Sequence, residues 1–457
     1  MIEAKTHAPG ALRLALENIW ASRQRHAESW NAIGVFAVRA GSAALLFLTQ
    51  IVLARWMGAA EYGLFVTAWT CVLVLGGIVH LGFNVAMMRL APQYYANKDY
   101  GAFRGLWAGG RRVATTSATV VALLGLAAIW IVEMEGSAAL ALPLALAFLC
   151  LPLYTRTDVQ DGLGRGQGWT MDSIVPPFIV RPLALLAMVA VAFVAGSPAT
   201  AVTGMMLAFF SVVAANVMQT VLLKRRIRES VPEATPTYDY AGWFKISLPL
   251  LAGGISEIIT LNADVLLLNL YRPPEEIGIY YAAAKTTALA LFVLYAVGTA
   301  YAGRIAAASA LGNRAEIETL VGQAVRWTFI PSAAVTLAIL AAGYPVLASF
   351  GDGFTDAYPL MFILAAGILT KASMGPSELI LNMLGHQRAS ALSMATAAVL
   401  SVALNLLLIP IWGVTGAAIA TATAIVSMSV INWAAMRRLE GLNLFVLANL
   451  PRRNPKA

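Results

Sequence analysis

The chain is 457 residues long, 59% hydrophobic and only 12% charged, with a net charge of +8. Its mean hydropathy is +0.74, and ordinary soluble domains carry about twice that charged fraction, so a water-soluble globular domain is excluded. The two cysteines, Cys71 and Cys150, fall inside apolar runs, which gives no support to a disulfide framework.

A helix that crosses a hydrocarbon core of about 30 Å needs roughly 20 apolar residues. On that criterion the sequence predicts spans near 33–54, 63–87, 113–132, 137–155, 173–195, 199–223, 246–271, 279–303, 327–350, 357–383, 389–410 and 414–436. They divide the chain into an N-terminal segment (1–32), a first lobe (33–223), a linker (224–245), a second lobe (246–436) and a tail (437–457). With the N-terminus inside, inward segments hold about 25 of the 31 Lys and Arg, whereas the outward turns hold only Arg55 and Arg272. That asymmetry is an orientation signal rather than a nucleic-acid footprint, and it predicts a multi-pass inner-membrane protein of bacterial type with both termini cytoplasmic. The outward turns are too short to hold a catalytic domain, so the chain reads as a transporter and not an enzyme.

Charges at mid-bilayer cost about 2.5–3.5 kcal/mol each on insertion scales, so each one requires a reason. In chain order, span 1 carries Arg39, and span 2 ends on His80 and Asn84, four residues apart. A lone histidine with no second His or Cys nearby reads as a packing group, and no metal site is predicted. After span 4 the glycines from Gly162 to Gly168 have nucleotide-loop spacing, but they follow an apolar helix instead of a strand, which removes that reading. Span 5 places Arg181 beside Pro176, Pro177 and Pro182, residues that kink a helix and free backbone groups. No acid is expected at the depth of Arg39 or Arg181, so the two arginines bind an anion or snorkel to the inner interface. In span 7, Gly253, Glu257, Thr260 and Asp264 share one helical face, and span 10 repeats that spacing with Lys371, Gly375, Glu378 and Asn382. Glu257 and Glu378 either exchange protons or make structural hydrogen bonds. Asp264 and Lys285 lie at similar depth on adjacent spans, and either form an ion pair or serve transport.

Sliding the chain by 215 residues puts Glu61-Tyr62-Gly63-Leu64-Phe65 on Glu276-Ile277-Gly278-Ile279-Tyr280, Leu53 on Leu268, Arg89 on Arg304 and Arg111 on Arg326. Six spans per repeat is an even number, so both halves enter the membrane in the same sense. The expected fold is therefore all-α, with about twelve transmembrane helices in two six-helix lobes related by a pseudo-two-fold axis along the membrane normal.

The segment from Leu53 to Phe65, with Glu61-Tyr62-Gly63 at its end, resembles the signature after the first span of the Wzx-type polysaccharide-biosynthesis flippases of the multidrug/oligosaccharidyl-lipid/polysaccharide (MOP) superfamily. His80-Leu81-Gly82-Phe83 with Arg89, Gly162-Leu163-Gly164-Arg165, and Asp264 followed by Ile277-Gly278-Ile279-Tyr280 and Lys285 are similar to further patterns of that family. The resemblance implies transfer of an undecaprenyl-pyrophosphate-linked oligosaccharide to the outer leaflet by alternating access, for O-antigen, capsule or exopolysaccharide synthesis. It implies no cofactor, and a polysaccharide polymerase and chain-length regulator as partners. Arg39 and Arg181 would meet the pyrophosphate or acidic sugars, with Lys285 and Lys371 adding to the lining. Glu257, Asp264 and Glu378 depart from a purely cationic cavity and point to H⁺ or Na⁺ coupling. The alternative is a MATE-type multidrug/cation antiporter of the same superfamily.

Overall fold

The computed structural model describes the backbone of residues 10–133 and 139–449, and the side chains of 38, 41–131 and 139–449. Among the described residues the chain is helical with no strand. Its helices are α1 (Gly10–Val79), α2 (Phe83–Ala96), α3 (Tyr100–Glu133), α4 (Ala141–Gly166), α5 (Thr170–Val175), α6 (Arg181–Val194), α7 (Ala201–Ser230), α8 (Tyr240–Leu268), α9 (Pro274–Ala288), α10 (Leu291–Ala310), α11 (Arg314–Phe350), α12 (Tyr358–Ser373), α13 (Ser377–Met383) and α14 (Gln387–Leu439). In lipid each backbone polar group must be satisfied within its own segment, and helices do this.

Ten of the described helical stretches are long and apolar enough to cross a membrane. Two of them are hairpins. Gly58 (φ 77°) interrupts α1 and Gly413 (φ 56°) interrupts α14, both in conformations that L side chains rarely adopt. The Tyr62 hydroxyl donates to Gln50 Oε1 at 2.8 Å, although twelve residues of straight helix would separate them by about 18 Å. Beyond Gly413, Gly416 likewise lies against the Leu408 carbonyl. The chain reverses at both glycines, which raises ten stretches to twelve crossings, six before the 231–239 connection and six after it.

The repeat is visible at the contact between the lobes. Gly63 packs on the Pro274 backbone, and Gly278 packs on the Ala59 carbonyl. Positions 59 and 63 map onto 274 and 278 at the 215-residue offset, so the two contacts are one contact seen twice across the pseudo-two-fold axis. Neither glycine has room for a Cβ. A shared core surrounds this seam: Tyr62, Tyr280, Phe350 and Phe354 are all fully buried. Tyr62 meets Tyr281 edge-on at 6.2 Å and Phe354 at 6.0 Å, and Phe47 meets Phe350 at 5.8 Å. Each such pair contributes about 0.5–1.5 kcal/mol beyond area burial. The weakly charged end of the molecule is therefore closed.

At the opposite, arginine-rich end, the described contact between the lobes runs through α2 and α8. Gly82 sits on the Ser247 carbonyl, and Phe83 meets Phe244 edge-on at 5.3 Å. The second half of the eighth span, α10, packs on α11 and α13 of its own lobe. Gly41, Gly253, Gly254 and Gly303 have open space where a side chain would stand. The connection between lobes is strapped to α3: the Thr237 N–H donates to the Gly101 carbonyl at 3.0 Å, and Arg104 donates to the carbonyls of Val231 (2.8 Å) and Pro232 (2.9 Å). The Asp239 carboxylate then caps α8 by accepting from the Gly242 N–H at 2.9 Å.

Candidate functional site

Two polar regions stand out, one in each lobe. In the first lobe the fifth span is irregular. Pro176 and Pro177 open a π-helical turn (Pro176–Val180) in which the Arg181 N–H reaches back to the Pro176 carbonyl, and such turns commonly mark functional positions. The turn aims Arg181 into a cavity that it lines with Tyr154, Thr157, Asp158, Asp161 and Phe178. The guanidinium stands 5.3 Å from the Trp69 ring and 5.8 Å from the Tyr154 ring, distances at which aromatic faces attract a cation.

The acids overturn an expectation. Asp158 and Asp161 share the cavity of Arg181, where the sequence placed no acid at that depth. The cause is the length of α4, which runs to Gly166 and not to 155, so its last turns carry their acids up beside α6. Asp161 pairs with Arg165 at 2.9 Å. Asp158 accepts from Asn84 Nδ2 at 3.1 Å and faces His80 Nε2 at 3.3 Å. His80 and Asn84 are not successive turns of one helix, because Leu81 (φ 54°) and Gly82 (φ 76°) break the chain between α1 and α2. Around them α4 and α7 are joined by Gln160–Gln219, Asn216–Thr157 and Thr220–Gln160 hydrogen bonds at 3.2, 2.9 and 2.9 Å.

In the second lobe Glu257 is exposed on α8, while Lys371 and Glu378 are half-buried. Both carboxylates and the ammonium lie within electrostatic range of one another. The helices α8 and α12 that carry Glu257 and Lys371 both pack on α14. The helical face predicted for span 10 is not continuous. The helix stops at Ser373, Gly375 adopts φ 63°, and α13 restarts at Ser377, so Lys371 and Glu378 sit on separate helices. Pro376 and the close approach of Gly375 to Val325 account for the break.

Asp264 is buried in the second lobe. Its Oδ2 accepts from the Tyr280 hydroxyl at 2.5 Å and from Thr421 Oγ1 at 3.1 Å, and its Oδ1 accepts from the Val265 N–H at 2.8 Å. The ion pair considered with Lys285 is absent among the described residues. Lys285 instead lies 4.9 Å from the Tyr281 ring, one turn back on α9, because Tyr280 projects between the helices and takes the carboxylate first. The side chain of Arg39 lies outside the described residues. The structure thus gathers Glu257, Lys371 and Glu378, and holds Arg181, Asp264 and Lys285 apart from them. Sequence reading missed Asp158 and Asp161, although Tyr154, Thr157, Asp158, Asp161 and Arg165 already follow a three-to-four spacing that continues span 4 as helix.

Several solved structures share this fold. A multidrug-resistance MATE family transporter of the MOP superfamily in an inward-facing conformation superposes with a TM-score of 0.72 at 12% identity, over 91% of this chain and 98% of that one. An outward-facing MATE transporter gives 0.66 at 13% identity, over 92% and 96%. The lipid II flippase MurJ, inward closed, gives 0.62 at 11% identity, over 89% and 87%. No curated protein sequence matches the chain. The family model described as polysaccharide biosynthesis protein matches residues 31–302. With its MOP-type fold and its polysaccharide-biosynthesis signature over most of its length, this multi-pass membrane chain belongs to the polysaccharide biosynthesis protein family.

Proposed function

We propose that the protein is a flippase that carries a lipid-linked oligosaccharide from the cytoplasmic to the outer leaflet by alternating access. The observation that carries this reading is the asymmetry of the seam: the two lobes are sealed by Tyr62, Gly63, Gly278 and Phe354 at the weakly charged end, and are less extensively joined, among the described residues, at the arginine-rich end, where Gly82 and Phe83 meet Ser247 and Phe244. By the positive-inside rule the arginine-rich end is cytoplasmic, so the less joined side faces the leaflet on which lipid-linked sugars are assembled. In this reading the lipid tail stays in the bilayer while the headgroup enters between the lobes. Arg181, with Lys285, Lys371 and Arg39, meets its anionic part, and Glu257 and Glu378 are candidates for ion coupling, as is Asp264 once a rearrangement exposes it.

Deletion tests this directly. Without the protein, lipid-linked repeat units accumulate on the cytoplasmic leaflet while their synthesis continues, and surface polysaccharide is lost. The exposed carboxylate of Glu257 favours a second reading, a cation antiporter. Unchanged surface polysaccharide together with reduced efflux of cationic dyes would select that reading instead.

A further inference from the structure

The break between α1 and α2 is both a joint within the first lobe and the first lobe's foothold on the second. Its freed backbone groups are accounted for individually: the Gly82 N–H donates to His80 Nδ1 at 3.0 Å, and the Val79 carbonyl accepts from Ser117 Oγ at 2.5 Å. On one side Gly82 and Phe83 rest on Ser247 and Phe244 of α8. On the other, His80 and Asn84 reach the single carboxylate of Asp158. An anion therefore ties the two ends of the break to α4 and sets how the break meets the other lobe.

The tautomer follows from the partners. His80 Nδ1 accepts a backbone N–H, so it carries no proton, and Nε2 is the donor that faces Asp158. A doubly protonated ring would turn Nδ1–H against the Gly82 N–H, so His80 stays neutral and an added proton goes to Asp158. The side chain of Asp158 is 35% exposed and lines the cavity, which gives the proton a path. The other charged groups that face it, among the described residues, are Arg181 from α6, and Asp161 and Arg165 from its own helix. From α7 come only uncharged Asn216 and Gln219, while Arg111 of α3 is stacked on Trp107 at 4.4 Å and Asp172 of α5 is held by Arg226 at 2.6 Å.

We propose that Asp158, with His80 and Asn84, is a proton-operated latch: the carboxylate clamps the α1–α2 break to α4, and taking up one proton releases it and loosens the α2–α8 contact. Protonation turns two bonds to a carboxylate into bonds to a neutral acid, and hydrogen bonds to charged groups are about twice as strong as neutral ones. This deepens the alternating-access reading and rests on it.

The test uses the full chain in lipid nanodiscs with Cys71→Ala and Cys150→Ala, and spin labels on Asn97→Cys and Leu311→Cys, both exposed at the arginine-rich end. Between about pH 8 and pH 5 the label separation lengthens, with a change of about fivefold or more in the ratio of the two populations. Asp158→Asn holds the acid distribution at every pH and lacks the carboxyl C=O infrared band that the parent gains on acidification. Asp158→Glu retains the response at a displaced midpoint, which shows that the lobe is folded. An Asp158→Asn protein that keeps the parent's pH response or its infrared band overturns the latch. Gly63→Ala, which forces the far seam apart, separates the two ideas. If it shortens the label distance while pH does nothing, the latch is overturned and alternating access stands. If neither perturbation moves the labels, both are overturned.

Discussion

The reciprocal glycines at the closed end invite a quantitative perturbation. In Gly63→Ala the new methyl group falls on the Pro274 carbonyl, which is backbone and cannot rotate away. Overpacking a close-packed interface costs typically about 1–3 kcal/mol. The three atoms nearest that methyl group all belong to Pro274 of the second lobe, so the cost falls on the state in which the lobes touch. A penalty of this size, charged to one of two states, shifts their ratio by about 5- to 150-fold towards the state open at the weakly charged end. Cysteine accessibility reads this directly: Ile279→Cys, half-buried beside the seam, gains reactivity towards a membrane-impermeant maleimide in proportion to the shift. Gly278→Ala, its symmetry mate, produces the same change. The double substitution adds little, because one displacement relieves both clashes. Unchanged labelling in both single variants, with normal amounts of folded protein, would refute the idea that this seam separates during the working cycle.

Other residues make separate demands. Glu61 accepts from the Ala201 N–H at 2.7 Å at the start of α7, so Glu61→Ala removes a cap and a favourable charge at a helix N-terminus. It should lower stability by about 0.5–2 kcal/mol, read as a fall in thermal midpoint, whereas Glu61→Asp loses reach and is intermediate. Asp264→Ala strands the Tyr280 and Thr421 hydroxyls in the core at about 1–3 kcal/mol. Asp264→Asn, which keeps an acceptor, should be milder in the same melting assay. Arg181→Ala should abolish export of lipid-linked oligosaccharide at a normal protein level, and Arg181→Lys should restore only part of it, because an ammonium cannot make bidentate contacts to phosphate. Arg104→Ala releases the linker strap at the Val231 and Pro232 carbonyls, and should raise protease cleavage within 231–239 several-fold without altering the helices.

How much of the site could be read in the sequence differs between residues. Lys371 and Glu378 were recognisable as intramembrane charges, because cost alone identifies them. Their helical register was misread, since Gly375 and Pro376 end one helix and start another, and a pattern of spacings carries no backbone angle. Asp158 lay in a segment taken for a loop. Hydropathy registers where lipid ends and not where helix ends, and α4 continues for eleven residues beyond the last strongly apolar turn. The partner of Asp264 had to be chosen among neighbours at similar depth, and only packing shows that Tyr280 reaches it and Lys285 does not.

What the amino-acid sequence decided unaided is the class of the molecule: apolar runs of bilayer length force helices, and a 215-residue repeat with an even number of spans requires two lobes of the same sense. Each of these is a property of single segments measured against lipid, so no knowledge of neighbours is needed. What tertiary structure alone decided is which polar groups meet. Asp158 with His80 and Asn84, Asp264 with Tyr280 and Thr421, and Gly63 with Pro274 are separated by between 16 and 211 residues of chain. In a medium of low dielectric, those meetings settle which charges are satisfied, which are left facing a cavity, and where the lobes can part.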